Sequence, residues 1–528
     1  MSQAMTFDDV QASAQVQRPV RKWWVALAVA LGALLEVVDT SIVNVALNDI
    51  QTTVGATLSE ASWIVSSYAV ANVIVLPMTA WLGARFGKKR YFVFSLIGFT
   101  LASVLCGLAT SLPMLIIARV LQGLMGGGLL AKAQAFLFET FPKEEQALAQ
   151  GFFGAVVIAG PAIGPTLGGF IVTNYDWRWI FLVNVPVGIA AVFLCLAALP
   201  EDTGKADASR IDWLAIALLA TGLGSLQTVL EEGNSDDWFD SHLITFLACT
   251  AVFGLVAFVW RELTSDKPIV NLRVLRHRSL WAGSLLSVVV GMALYGALFA
   301  IPIFAQTIMN YTPEQTGWLL FPGALVAAFS MPLVARLLGK FDARMVLAGG
   351  GLVLISALFS FTNLSPQTGS SDLFWPLIVR SVGTTMMFLP LNLATMGPIP
   401  KQEVGEAAAF FNLTRQLGGS IGVALLTTLL TNRQAFHRAV LVEKLVPSDP
   451  GVLARLDTLT QMFVSKGADL AQAQQRALSM LDGTVNQQAA VMSFGDTFWA
   501  VGMLVLLCLP LVLLLGKANR GAPMDAGH

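Results

Sequence analysis

The sequence predicts an all-α membrane protein, and three observations support that fold class. Hydrophobic residues make up 55% of the 528 residues, and charged residues make up only 12%. Soluble proteins carry about 25% charged residues. Apolar windows of about 20 residues, the length that crosses a bilayer as a helix, recur along the whole chain.

Fourteen such windows define the predicted membrane spans. They lie near 23–47, 61–83, 91–110, 113–138, 147–172, 179–199, 212–230, 241–260, 280–305, 315–338, 345–363, 373–397, 406–430 and 494–516. The first span follows a polar tail and lacks a cleavage site of small residues. We therefore expect a first helix that is retained, and not a signal peptide.

The distribution of Lys and Arg predicts how the spans are oriented. An even number of spans places both termini on one side of the membrane. The connections on that side carry basic clusters at 85–90 and 261–278, whereas the short connections on the other side carry only Arg178. The positive-inside rule then puts both termini in the cytoplasm. The segment 431–493 also carries basic residues, but long loops cross the membrane regardless of charge.

The spans group into two sets of six that resemble each other weakly. We expect a six-helix bundle at 23–199, a linker and two-helix insert at 200–278, and a second six-helix bundle at 279–516. Residues 1–22 and 517–528 are the predicted cytoplasmic tails. Two such bundles, related by an axis along the membrane normal, are the arrangement of a major-facilitator fold.

The segment 431–493 is the predicted periplasmic loop. Val452, Leu456 and Leu459 lie at helical spacing between Pro450 and Gly467, which are helix start and stop signals. We expect two short amphipathic helices lying on the periplasmic face.

Glu36 and Asp39 are the carboxylates that sequence reading places well inside a span. Their i, i+3 spacing puts both on one face of the first helix. Two carboxyl groups this close in an apolar environment cannot both ionise cheaply, so the pair suits a proton carrier. The alternative is a structural ion pair with Arg119, Arg380 or Arg415.

Arg119 and Gln122 lie one turn apart in the fourth span. A charged Arg inside a membrane is costly unless it faces a partner or a cavity. Arg119 therefore either serves proton transfer or braces backbone carbonyls. Gly123 and Gly127 form a small-xxx-small pair that lets another helix approach. Lys132 is left open between snorkelling and coupling.

Two glycine-containing motifs stand out. The loop after the second span contains Arg85, Gly87, Lys88, Lys89 and Arg90. The fifth span contains Gly151, Gly160, Gly164, Pro165, Gly168 and Gly169. The glycines at 160, 164 and 168 make one stripe for close helix packing, and Gly151 falls on the opposite face, where packing does not explain it.

These motifs resemble those of the fourteen-span drug:proton antiporters of the major facilitator superfamily. The fifth span matches the antiporter motif of that family without a departure. The loop matches the family's cytoplasmic loop motif except at Ala80 and Ala84, where Gly and Asp are usual. The runs 38–46, 177–188 and 412–422 are also similar.

The resemblance implies an inner-membrane, proton-driven exporter of hydrophobic or amphipathic drugs. It implies proton coupling by Asp39 with Arg119, and it leaves the role of Glu36 less secure. It also implies two partners, a periplasmic membrane-fusion adaptor and an outer-membrane channel. We expect no cofactor, since the proton gradient supplies the energy.

Substrates are expected to be small and hydrophobic. Met and Phe side chains suit a pliable apolar cavity, and they suit lipid-facing helices equally. The candidate cavity residues are Gln122, Met386, Met387, Phe388, Asn392, Phe410, Phe411, Asn412 and Arg415.

Several other classes are disfavoured by the sequence. The net charge of −1 gives no sign of a nucleic-acid partner, and the four histidines lack metal-ligand spacing. The four cysteines lie in apolar runs, so disulfides are not expected. We find no catalytic constellation that would indicate a membrane enzyme or sensor. The remaining alternative is a proton-coupled carrier of a metabolite or fatty acid with the same fold.

Overall fold

A computed structural model describes residues 22–202, 211–446 and 448–516, which form a bundle of long helices. The α-helices are α1 Lys22–Val54, α2 Leu58–Val75, α3 Thr79–Phe86, α4 Lys88–Gly107, α5 Leu112–Gly126, α6 Leu129–Thr140, α7 Lys143–Asn174, α8 Trp179–Leu182, α9 Asn184–Ala198, α10 Trp213–Glu232, α11 His242–Thr264, α12 Arg278–Thr307, α13 Pro313–Leu338, α14 Ala343–Ser360, α15 Ser370–Met396, α16 Val404–Glu443, α17 Pro450–Ser465 and α18 Leu470–Cys508. Short 3-10 helices lie at Leu76–Met78, Trp238–Asp240, Leu272–Arg276, Phe361–Asn363 and Leu509–Leu514. The predicted tails up to residue 21 and from 517, and linker residues 203–210, lie outside the described residues.

Among the described residues, 13 helices are long and apolar enough to cross a membrane, against fourteen predicted spans. The difference is the predicted span 406–430, which falls within α16. Asn412, Arg415 and Gln416 lower its hydropathy, yet α16 packs against α12, α6 and α18. We therefore treat α16 as a span whose polar residues face protein instead of lipid.

The two halves of the chain repeat one packing pattern. The fourteen predicted spans are numbered here in chain order. In the N-terminal half, residues 22–202, span 1 packs on span 5, span 2 on 4, span 3 on 4 and 6, and span 1 on 6. In the C-terminal half, residues 278–516, span 9 packs on span 13, span 10 on 12, span 11 on 12 and 14, and span 9 on 14. Each pair in the first half thus has a counterpart in the second. The insert helices α10 and α11 pack together, and α10 also lies against α2 and α16.

The end of the bundle at which α1 begins is called the near end, and the opposite end is called the far end. Beyond the far end, residues 431–493 are largely helical. α16 continues to Glu443 and α18 begins at Leu470, so both helices run past the predicted ends of their spans. Arg438 pairs with Asp482 across them at 2.8 Å, and α17 packs against α18. The expectation of two short helices lying flat is wrong, because the spans themselves extend and only α17 is separate. Residues 431–493 are called the far-end projection.

α7 carries glycines on two opposite faces. Gly160, Gly164 and Gly168 face α1, as the predicted stripe requires. A Cβ on Gly160 would lie 2.6 Å from Val37 Cγ1, and a Cβ on Gly164 would overlap Ser41 Oγ. Only glycine at these positions allows α1 and α7 to approach this closely.

The opposite face of α7 meets α13 of the C-terminal half. A Cβ on Gly169 would lie 2.6 Å from the backbone nitrogen of Glu314. A Cβ on Gly151 would lie 3.5 Å from the Met331 carbonyl oxygen, which is an ordinary contact. In this conformation packing therefore requires glycine at 169 and not at 151.

We expect Gly164→Ala to lower the stability of the folded protein, because overpacking a tight contact costs about 1–3 kcal/mol. Gly151→Ala on the same helix is the matched control and should leave stability unchanged. Thermal unfolding of the detergent-purified proteins measures both. Equal melting temperatures for the two variants would show that the contact between α1 and α7 is not tight.

Candidate functional site

The fourth span is broken in the middle of the bundle, at Gly127 and Gly128. Gly128 adopts the left-handed conformation, with φ of 72°, and the break leaves backbone N–H groups of α6 without helical partners. Such groups are costly inside a membrane. The Glu36 carboxylate accepts hydrogen bonds from the backbone N–H of Leu130, at 2.8 Å, and from Asn72 Nδ2, at 2.9 Å. Glu36 therefore caps the N-terminus of α6.

Asp39 lies one turn further along α1 and is fully buried. Arg119 donates to its Oδ2 at 2.6 Å, and Gln122 and Asn184 donate to its Oδ1 at 2.8 and 3.0 Å. Ser103 Oγ accepts from both amides at 3.2 and 3.0 Å. These five residues, called the Asp39 cluster, come from α1, α4, α5 and α9. Their donors match a carboxylate that carries its charge.

Arg119 has further contacts besides those to the Asp39 cluster. Its Nε donates to the Ile64 carbonyl oxygen at 3.0 Å, and its guanidinium lies 4.2 Å from the Tyr68 ring centroid. The side chain is 1% exposed. A buried ion pair offsets its desolvation only when further partners of this kind are present.

Glu36 and Asp39 were predicted to act as neighbours. The structure gives them separate donors, so each carboxylate has its own site. Gln122, predicted to line a substrate cavity, lies instead in the Asp39 cluster. Asn184 was not among the predicted site residues, although an Asn at the start of an apolar helix was a signal for it.

A cavity lies between the two halves. The N-terminal half lines it with apolar residues, whereas the C-terminal half brings two arginines and several hydroxyl groups. The main lining residues are Val37, Ile158, Leu320, Tyr295, Arg380, Ser381, Thr384, Phe388 and Arg415. Arg380 is buried and its Nε has no hydrogen-bond partner. No carboxylate lies among the described residues that line this cavity.

Of the remaining candidate cavity residues, some line the cavity and others do not. Phe388 and Arg415 line the cavity, where the Arg415 guanidinium lies 5.3 Å from the Phe388 ring centroid. Met386 packs against Gly350 of α14. Met387 and Phe411 are buried in the core of the C-terminal half, and Phe410 is half-buried and does not line the cavity. Arg380 was the missed lining residue, and its charge within an apolar span was the signal.

Asn392 and Asn412 lie in a bridge between the halves toward the near end. Gln134 Nε2 on α6 donates to Asn392 Oδ1 on α15 at 2.5 Å. Asn412 Nδ2 on α16 donates to Gln134 Oε1 at 2.6 Å, and Arg415 donates to Asn412 Oδ1 at 2.5 Å. This amide bridge links the near end of the N-terminal half to the cavity.

Toward the far end, α1 carries a line of exposed polar side chains. Thr40, Asn44 and Asn48 follow Val37, which lines the cavity, at helical spacing. Polar residues are expensive when they face lipid, and this face of α1 continues the cavity lining. The amide bridge therefore closes the structure at the near end, and the exposed polar face of α1 lies toward the far end.

The loop between α3 and α4 turns at Gly87, where φ is 92°. Asp202, which follows α9, accepts from the backbone N–H groups of Lys89 and Arg90 at 3.0 and 3.3 Å and so caps α4. Ala84 leaves the motif without a carboxylate of its own, and other segments supply the acidic partners. Other contacts of this loop include Lys88 to Glu139 at 2.7 Å, Lys89 to Glu201 at 2.7 Å, and Arg85 over the Trp81 ring at 5.7 Å.

Comparison with known proteins places this geometry in a family. The model of the Major Facilitator Superfamily matches residues 29–423. Two solved structures share the fold over 93% of the chain at 13% identity, each with a TM-score of 0.58. They are the human organic anion transporter MFSD10, covered to 99%, and the proton:xylose symporter XylE, covered to 95%.

Curated relatives match nearly the full length. The multidrug export protein EmrB of Escherichia coli K12 is 33% identical over 92% of this chain and 94% of its own. The fatty acid resistance protein FarB of Neisseria gonorrhoeae is 30% identical over 93% and 95%. These matches confirm the predicted fold class. The chain is a multi-pass membrane transporter that belongs to the major facilitator superfamily and is similar to the EmrB multidrug export proteins.

Proposed function

We propose that this transporter is a proton-driven antiporter that exports hydrophobic or amphipathic compounds across a bacterial inner membrane. Both termini, and therefore the near end, would face the cytoplasm, in keeping with the basic connections on that side. The proton gradient would supply the energy without a bound cofactor.

The Asp39 cluster is the observation that carries this proposal. Asp39 is a fully buried carboxylate whose charge is balanced by one guanidinium. A proton bound to Asp39 would cancel the charge that pairs with Arg119 and leave that guanidinium without its counter-ion. The two protonation states therefore favour different arrangements of α1 and α5, which a proton-coupled transporter needs.

The near-end bridge and the exposed polar face of α1 toward the far end support alternating access. We propose that solvent enters from the far end along the α1 face that begins at Val37. Protonation of Asp39 from that side would precede a change to a state open at the near end. Each proton that moves inward gains about 2.3 kcal/mol per 100 mV of membrane potential.

The cavity supports a second candidate substrate class, the fatty acids and other amphipathic acids. Arg380 and Arg415 face a cavity whose other lining residues are apolar or carry hydroxyl groups, and the Arg380 Nε is without a partner. Buried arginines in a membrane protein normally pair with an anion. The relative FarB is named for fatty acid resistance, which agrees with this chemistry.

The far-end projection supports a partner outside the membrane. Leu453, Leu470 and Leu478 are 48%, 63% and 56% exposed there. A solvent-facing surface with several exposed leucines is typical of a docking site. We propose that a periplasmic adaptor, leading to an outer-membrane channel, binds this projection.

We expect Asp39→Asn to abolish proton-coupled export, because the amide cannot carry the proton. Proteoliposomes with an imposed pH gradient, loaded with a fluorescent amphipathic dye and a pH indicator, measure both fluxes. Glu36→Gln is the control: its amide oxygen can still accept from Leu130, so coupling should persist. Normal dye and proton fluxes in Asp39→Asn would remove Asp39 from the mechanism.

We expect Arg380→Gln to reduce export of a lipophilic carboxylate more than export of its neutral amide, because only the carboxylate pairs with the guanidinium. The same proteoliposomes, tested with the matched pair of compounds, give the ratio of rates. Arg278→Gln, on the exposed near-end surface, serves as the charge-matched control. An equal loss for both compounds would favour a structural role for Arg380.

We expect replacement of residues 446–468 by a Gly/Ser linker to leave transport in proteoliposomes intact, because the cavity and the Asp39 cluster lie elsewhere. The same change should abolish co-purification of the adaptor and resistance in cells. Arg455→Ser, within the replaced segment, is the matched control. Retained adaptor binding and resistance would move the docking surface to other far-end helix ends.

A further inference from the structure

The insert helix α10 connects the two halves toward the far end. α3 and the 3-10 turn Leu76–Met78 pack directly on α16, whereas α2, on the far side of that turn, packs on α10. α10 in turn packs on α16. The insert thus occupies the space between α2 and α16 toward the far end of the bundle.

Two consecutive carboxylates end this helix, and each one binds a different half. Glu232 is 3% exposed and accepts from Ser62 Oγ at 3.0 Å and from Ser66 Oγ at 2.5 Å, both on α2. Glu231 accepts from Ser420 Oγ on α16 at 3.2 Å. The predicted span ended at residue 230, so both carboxylates were placed outside it and were overlooked.

Gln227, one turn earlier on α10, completes the cluster. Its Nε2 donates to Glu231 Oε1 at 2.8 Å and to Ser420 Oγ at 2.7 Å. Its side chain is fully buried, and its Oε1 has no donor. The cluster therefore contains more buried acceptors than donors, and one bound proton would supply the missing donor.

The surroundings do not neutralise two negative charges. In the described residues neither carboxylate forms an ion pair with Lys, Arg or His. The C-terminal turn of α10 is also the negative end of its helix dipole. The charged or titratable groups on α2 and α11 are engaged or exposed elsewhere: Glu60 binds Thr57, Tyr68 lies over Arg119, His242 and Cys249 are exposed, Arg261 binds Asp212, and Glu262 accepts from Val270. The same holds on α16, where Glu406 binds Asn271, Arg415 lines the cavity, Arg433 and His437 bind Asp496, Arg438 binds Asp482, and Glu443 is exposed.

We propose that Glu231 and Glu232 form a second proton-binding site, separate from Asp39, which fastens the insert to both halves while it holds a proton. With one proton bound, the pair carries a single charge, which the two hydroxyl groups of Ser62 and Ser66 stabilise at Glu232. Loss of that proton places two charges on consecutive residues, the half-buried Glu231 and the buried Glu232, which is costly. Polar contacts attach the insert to α16 at Ser420, which binds Glu231 and Gln227, and at Thr428, whose Oγ1 accepts from Trp238 Nε1 at 3.0 Å. Repulsion between the two charges moves the half-buried Glu231 away from Ser420, which loosens α10 from α16 and leaves Glu232 on α2.

Distance measurements on the purified full-length protein in lipid nanodiscs test the site without any transport assay. One spin label is placed on Cys249, which is exposed on α11, and one on Trp499→Cys, at an exposed position on α18. Cys508→Ser removes the other accessible thiol. We expect a narrow distance distribution at acidic pH that broadens when the pH is raised.

Two sets of variants should change this response in opposite directions. The double variant with Glu231→Gln and Glu232→Gln imitates the protonated pair, and its distance distribution should stay narrow at both pH values. Ser420→Ala removes the contact between Glu231 and α16, and its distance distribution should be broad at both pH values. If the substitutions only damaged the cluster, the distance distribution would be broad for every variant at both pH values. Melting temperature and size-exclusion profiles identify variants that have not folded.

Asp240→Asn, an exposed carboxylate just beyond α10, is the matched control and should respond as the wild type does. Asp39→Asn should also keep the response, because the two sites are separate. Because no transport is measured, failure of the proposed antiport would not alter the outcome. A pH-independent wild type, or a double Gln variant that titrates like the wild type, would overturn the proposal.

Discussion

A guanidinium and a carboxylate without access to solvent form the electrostatic centre of the N-terminal half. Burial of either charge alone would cost several kcal/mol, so Arg119 and Asp39 depend on each other and on the polar groups around them. Those groups come from α1, α4, α5 and α9 and from the Ile64 carbonyl oxygen of α2. The positions of five helices are therefore linked to the charge state of one carboxyl group.

The C-terminal half has no equivalent ion pair in its described part. Its buried arginines line the cavity, where Arg380 retains an unpaired nitrogen and Arg415 binds Asn412. The two halves thus share one packing pattern but differ in the buried charged groups that they carry. Proton binding is suited to the first half and anion binding to the second. α7 lies between them, with closely packed glycine contacts to α1 on one face and to α13 on the other.

Much of this architecture could be predicted from the sequence because membrane spans and small-residue stripes are local patterns. The stripe of Gly160, Gly164 and Gly168 follows from helical spacing alone, and the structure places it against α1. Residue spacing could not reveal which donors meet a carboxylate across the bundle. Glu36 and Asp39 share a helix face, yet one caps α6 and the other pairs with Arg119. For the same reason Arg380 was considered only as an ion-pair partner and Glu231 was overlooked, since their roles depend on neighbours distant in the chain.

The break at Gly127 and Gly128 has a mechanical consequence. The Asp39 cluster includes side chains of α5, whereas the near-end bridge is anchored by Gln134 on α6. An unbroken helix would move both as one rigid body, but here the two glycines separate them. Glu36 lies on α1 and accepts a hydrogen bond from the first turn of α6, so it links α6 to α1 across the break. In the proposed antiport, the strength of this contact would determine how closely the near-end bridge on α6 follows a proton-driven movement of α5, and a weakened contact would let protons cross without export of substrate.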